Sequence, residues 1–329
     1  SLGYLPSSGS PGLREQIAQT YQSIHEGQVL CFSGAEEGLY CAMHALLGRD
    51  DHAIVTTPNY QSMEELPRSL CESVSAWPLR PEHGWEPDLD QLARIWRPNT
   101  KVLAVNFPNN PTGKVISQQG WRQLLGFVAE RKAWLFSDEV YRGLERDPAH
   151  TLDQAADLYE RALSLNVMSK AYGLPGLRIG WIACKDQALL GQMESIKHYL
   201  SICNSAPSER LATIALQARD HLLGRNRQIV QQNLILLREF LQRHQQHYRW
   251  HEPEGGCVGF VQRRKPGGSV DNWCRRLVCD HGVLLLPGSI YRSSLASVPE
   301  DHFRIGFGRR NFARGLARLG DLTTAVTEQ

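Results

Sequence analysis

No apolar run among these 329 residues reaches eighteen, and no charged, then apolar, then small-residue leader opens the chain. The expectation is a cytoplasmic protein with neither a membrane span nor a signal peptide. An excess of one charge is lacking as well. Lys plus Arg number 36 against 34 Asp plus Glu, a net +2, so neither nucleic acid nor an anionic membrane is expected as a partner. The eight cysteines include no CxxC pair and no histidine at ligand spacing, which argues against a metal site and for reduced thiols used in packing. Repeats and low-complexity blocks are missing too, so the length is to be folded as one large domain with a smaller one attached. The opening loop SLGYLPSSGSPG has no element ahead of it, and an N-terminal arm is expected to be missing.

What is present is an alternation. Leu13, Ile17 and Tyr21 recur at four-residue spacing and predict a helix over 13–22. Short apolar strands are expected at 28–32, 52–56, 73–79, 101–107, 134–137, 163–168 and 179–184, with helices at 39–47, 89–96 and 121–131 between them. The 101–107 run, KVLAVNF, has a continuous apolar centre, as in a strand buried on both faces of a parallel sheet. This order predicts an α/β fold, a doubly wound and mostly parallel sheet with ligands beyond the carboxyl ends of its strands. From 197 to 242 the pattern turns helical and more charged. Short strands at 248–262, 282–286 and 303–307 then predict a smaller α+β domain. The divisions expected are an N-terminal segment 1–26, a large domain 27–200, and a linker helix with the small C-terminal domain over 201–329.

Polar motifs fall at the expected strand ends. In SKAYGLPGLRIGW, Lys170 precedes Arg178 across a Gly/Pro turn. A lysine amine can condense with a carbonyl, and an arginine fork can grip the phosphate of the same ligand. Asp138 and Tyr141 follow another strand; a carboxylate there can keep a pyridine nitrogen protonated, and a phenol can donate to an adjacent ring oxygen. Asn110 can supply a second donor, and Tyr60 offers a face for stacking. The strand, small-residue turn and helix around Ser33–Gly38 would present free N–H groups to a phosphate. Taken singly each has an ordinary structural explanation. Their common order at successive strand ends does not.

The chain resembles the class I/II aminotransferases, pyridoxal-phosphate enzymes of fold type I, over essentially all its length. The likeness rests on Tyr4-Leu5-Pro6, Ser33-Gly34-Ala35, Pro58-Asn59-Tyr60, Asn110-Pro111-Thr112-Gly113, Asp138-Glu139-Val140-Tyr141, Ser169-Lys170, Arg178-Ile179-Gly180 and His302-Phe303-Arg304-Ile305. The resemblance implies that Lys170 forms the Schiff base with the cofactor and moves the substrate proton, and that Asp138 holds the pyridinium. It further implies that Asn110 and Tyr141 bind the ring oxygen and that Tyr60 stacks. Arg178, with the Ala35 and Glu36 amides and Ser169, would hold the phosphate, and Arg304 would clamp the substrate carboxylate. Tyr4 resembles a tyrosine that reaches a neighbouring subunit's phosphate, which implies a homodimer with shared active sites.

Some positions depart from the family pattern. Val167 stands where many relatives have a Ser or Thr on the phosphate. Glu36 and Glu37 lie beside the expected phosphate cradle, and read either as complements to a helix dipole or as recognition of a cationic substrate. Arg210 stands where a neutral residue is usual, and reads as half of an ion pair or as a second anion site. The leading expectation is amino-group transfer from an L-amino acid to a 2-oxo acid. The alternative keeps pyridoxal phosphate and changes the reaction, since the Lys170 stretch also looks like histidinol-phosphate aminotransferases and like capreomycidine-synthase-type cyclases. The latter remove a hydroxyl from a hydroxyarginine and close a guanidine ring. A non-catalytic amino-acid sensor is the third expectation, disfavoured by the intact chemical residues.

Overall fold

The computed structural model describes residues 3–264 and 268–325. Strand segments such as VLCF, HAIVTT and ALSLNV are buried along their whole length, because helices cover both faces of the sheet they form. Its strands are β1 (Val29–Phe32), β2 (His52–Thr57), β3 (Ser73–Pro78), β4 (Thr100–Asn106), β5 (Trp134–Asp138), β6 (Ala162–Val167) and β7 (Gly180–Cys184). Their spatial order is β1-β7-β6-β5-β4-β2-β3. Five neighbours from β3 to β6 pair in parallel, whereas β7 runs antiparallel to both β6 and β1. The parallel strands therefore deliver their carboxyl ends to one rim, where Asn106 and Asp138 are directly paired.

A second sheet contains β8 (Tyr248–Trp250), β9 (Val258–Arg263), β10 (Leu286–Pro287) and β11 (His302–Gly306), antiparallel throughout and ordered β10-β11-β9-β8. Its core is separate. Phe303, Ile305 and Phe307 pack with Leu234, Leu237 and Phe240 of the long helix Arg219–Arg243. Leu13 and Ile17 of the first helix pack instead with Ala212 and Leu216 of helix Ala206–Gln217 and with Trp181 of β7.

Among the expected elements whose bounds change, three show the local cause. The helix expected at 13–22 is Pro11–Ala18, and the Thr20 hydroxyl donates to the Ile17 carbonyl just beyond its end. The helix expected from 39 begins at Ala35. Gly34, at φ 104°, lets the chain turn directly into it, and the Glu37 carboxylate accepts the Ser33 N–H at 2.6 Å. The strand expected at 282–286 shortens to Leu286–Pro287. Gly282 at φ 65° closes helix Val270–His281, and Val283 still donates back to the Leu277 carbonyl.

Candidate active site

Asp138 ends β5 and is buried, with its Oδ1 accepting the Val140 N–H at 3.2 Å. Burial pushes its carboxyl up to about 7, opposed by that N–H and by the Lys170 ammonium, and reinforced by the charges of Glu139 and Glu36. A buried carboxylate with so little compensation is poised for a cationic partner. Behind it Glu139 accepts from the Ala155 N–H at 2.9 Å and the Ser164 hydroxyl at 2.8 Å, and burial pushes its carboxyl up as well.

Asn106, at the end of β4, fastens two parts of the rim together. Its Oδ1 accepts the Asn110 N–H at 2.7 Å and its Nδ2 donates to the Asp138 carbonyl at 3.0 Å. Asn110 itself is buried, and its Oδ1 accepts from Arg304 at 2.9 Å and from the Tyr291 hydroxyl at 3.2 Å. Arg304 arrives from β11, so this contact joins the two sheets across the cleft. Nearby, Tyr141 is buried, and its phenol is pushed well above the usual range, mainly by burial and by the neighbouring Cys257.

Lys170 follows β6 and is exposed to the cleft. Its loop is held by Ala171 N–H on the Val140 carbonyl at 3.3 Å and by Asn226 Nδ2 on the Ala171 carbonyl at 2.8 Å. Arg178 closes the same loop in the left-handed region, φ 52°. An added Cβ at Gly34 would lie 2.5 Å from the Arg178 Nη2, so the guanidinium covers the start of helix Ala35–Leu46. That helix start has no side-chain cap, and its free N–H groups with the guanidinium form an anion cradle. Ser169 Oγ lies 3.5 Å from Arg178 Nη1, at the edge of this cradle.

The structure brings Ala35, Glu36, Tyr60, Asn110, Asp138, Tyr141, Ser169, Lys170, Arg178 and Arg304 to one cleft. Tyr60 is half exposed there, under the charges of Glu36, Arg178 and Asp138. Tyr4 is not brought to it. At 91% exposure it projects from the surface, its loop tied down by Lys197 Nζ on the Ser7 carbonyl and by Glu209 on the Ser10 N–H at 2.8 Å. The two glutamates separate in role: Glu37 accepts from the Ser33 and Ser201 N–H groups, whereas Glu36 is exposed. Among the described residues Arg210 forms no salt bridge; it is exposed.

Sequence reasoning missed Asn106, Cys257 and the position of Tyr291. Asn106 had a signal, a polar residue closing an apolar strand just before a proline. Tyr291 had none, since it meets Asn110 from 181 residues away.

Comparison with known proteins places the chain in a family. The chain matches the family described as aminotransferase class I and II over residues 1–315. It is 34% identical over 318 residues to capreomycidine synthase from Streptomyces vinaceus, covering 96% of this chain and 79% of that protein. It is 28% identical over 309 residues to an arginine–pyruvate transaminase from Pseudomonas aeruginosa, covering 92% and 77%. The solved structure of the PLP-dependent cyclase OrfR superposes with a TM-score of 0.91 at 29% identity, over 99% of this chain and 85% of the other.

Proposed function

The chain belongs to the class I and II aminotransferase family of pyridoxal-phosphate enzymes, and from that premise we propose that its substrate is an L-amino acid with a cationic, guanidinium-like side chain. The observation that carries this substrate class is Glu36. Its carboxylate is exposed beside Tyr60 and Asp138, while Glu37 is occupied by backbone N–H groups. An unengaged carboxylate at the mouth of the site attracts a cationic side chain and repels an anionic one. Two of the relatives are named for arginine or for a cyclic arginine-derived product, which supports the same class.

The residues fit the cofactor: an uncapped helix start under a guanidinium for the phosphate, a buried carboxyl raised by desolvation for the ring nitrogen, and an amine at the cleft. When bound, pyridoxal phosphate supplies an aldehyde for the substrate amine and a protonated ring that withdraws the electrons left at Cα. Lys170 would move the proton between the substrate Cα and C4′ of the cofactor. Asp138 keeps the ring nitrogen protonated, and Tyr60 stacks on the ring. Tyr141 donates to the ring oxygen together with Asn110 Nδ2, because the Asn110 Oδ1 is already taken by Arg304 and Tyr291. Arg178, Ser169 and the amides of Ala35 and Glu36 hold the phosphate. Arg304 grips the substrate carboxylate with its fork of donors. Tyr4 of a second copy completes the phosphate site in a homodimer, a reading supported by its exposure on an anchored loop.

With these residues the first reading of the reaction is transfer of the amino group to a 2-oxo acid. A second, elimination of a hydroxyl from a hydroxyarginine followed by ring closure, is favoured by the likeness to capreomycidine synthase and to the OrfR cyclase. Mixing the holoenzyme with arginine or hydroxyarginine, without any oxo acid, separates the two. Transfer predicts loss of the bound cofactor's visible band and one equivalent of the 2-oxo acid per site. Loss of water with the band retained identifies a cyclase or eliminase instead. Glu36→Gln is expected to raise the KM for the cationic substrate about tenfold, a loss of roughly 1.4 kcal/mol, and to leave neutral amino acids unchanged. Equal use of neutral and cationic amino acids by the unaltered enzyme would remove the substrate class.

A further inference from the structure

A cavity of about 660 Å³ opens between the edge of the second sheet and helix Phe312–Ala325, outside the cofactor cradle. Its size is that of a ligand site. One wall carries Arg309, Arg314 and Arg318, and its inner end is Arg304. Among the described residues no carboxylate lines it. Among the described residues none of these four arginines enters a salt bridge, and the Arg318 guanidinium reaches only the His281 carbonyl, at 3.4 Å. Arg314 and Arg318 stand one helical turn apart, where like charges repel unless an anion lies between them.

The opposite wall has different chemistry. Leu284 and Leu286 line it, and Leu284 is 70% exposed. This stretch leads into β10, the edge strand of its sheet among the described residues, whose short free side offers the backbone of Leu286 and the Pro287 carbonyl with no strand paired to it. We propose that the groove is a docking site for an acidic, extended segment of a partner protein. An added strand would pair with the open edge, set alternate apolar side chains on Leu284 and Leu286, and turn its carboxylates toward the arginine wall. A small anion would satisfy the arginines alone. It would leave Leu284 in water and the edge unpaired, which is why a peptide accounts for more of the groove.

The groove shares Arg304 with the substrate reading above, but the test substitutes only residues outside the cofactor site. A fluorescein-labelled octapeptide alternating glutamate and leucine is titrated with the holoenzyme at low salt and followed by anisotropy. Saturable binding is expected, weakened about tenfold both by about 0.5 M NaCl and by the double substitution Arg314→Glu with Arg318→Glu. Both arginines are exposed and outside the cofactor site, so amino-acid turnover by the double variant is expected to be unchanged and serves as the check on folding. Leu284→Asp gives a second, independent loss. Absence of binding, equal binding of a lysine–leucine peptide, or indifference to these substitutions overturns the proposal. Complete displacement by millimolar pyrophosphate, with Leu284→Asp having no effect, overturns it in favour of a small-anion site.

Discussion

Asp138 illustrates how one side chain is set by its surroundings. Desolvation raises its carboxyl to about 7, against 3.8 for an ordinary aspartate, so the folded cofactor-free protein holds a proton that the unfolded chain has already released. Between those two values the unfolded state binds fewer protons than the folded one, and stability therefore falls as pH rises. The contribution is complete below about pH 4, is lost by about pH 7, and amounts to at most about 4 kcal/mol. Asp138→Asn, compared with wild type as apoprotein by denaturant unfolding at pH 4.5 and 7.5, should be distinctly less pH-sensitive. Parallel pH profiles would show that Asp138 does not carry the raised value. Glu139 is raised in the same direction and persists in the variant, so only the difference between the two proteins is diagnostic.

At the scale of elements, the proposed phosphate cradle depends on two close approaches to glycine. Gly34 sits at φ 104°, with the Arg178 guanidinium where a side chain would go, and a Cβ at Gly180 of β7 would come within 2.7 Å of the Ala35 nitrogen. The first approach keeps the guanidinium over the helix start. The second seats that helix on the sheet. Gly34→Ala faces both an unfavourable dihedral and displacement of Arg178, so it is expected to weaken retention of pyridoxal phosphate by at least about tenfold. The fold should survive, since the substitution lies at a helix cap rather than in the core. Equilibrium dialysis of the cofactor with far-UV circular dichroism as the control checks both statements, and unchanged retention would mean that the cradle lies elsewhere.

For the whole molecule, the telling feature is apolar surface left in water. Tyr4 and Tyr199 are 91% and 90% exposed, and Leu200, Ile202, Leu211 and Ile214 are exposed with them. These residues lie on the opening loop, the 198–204 loop and helix Ala206–Gln217, segments linked through Glu209, which bonds Ser10 and Asn204. A monomer seldom leaves this much apolar surface uncovered. Sedimentation velocity is expected to give a dimer, and Tyr4→Phe is expected to lower cofactor affinity several-fold without dissociating it. A monomer retaining full activity at nanomolar concentration would remove the shared-site reading.

The α/β class, the succession of strands and the polar residues at their ends were legible from residue type alone, because apolar runs and Gly/Pro turns act locally. The start of the helix proposed to hold the phosphate was not. It was placed four residues late, since its true beginning depends on Gly34 taking a positive φ beneath Arg178, a contact between residues 144 positions apart in the chain. The two glutamates after Ala35 could not be told apart in the sequence either. Folding occupies Glu37 with two backbone N–H groups and leaves Glu36 exposed in the cleft. Likewise the Asn110–Arg304–Tyr291 contact exists only once the second sheet closes on the first. By itself the sequence determined which chemical groups stand at which strand ends, through local propensity and pattern. Only the tertiary structure decided which of them remain available, because availability is set by hydrogen bonds and desolvation between distant segments.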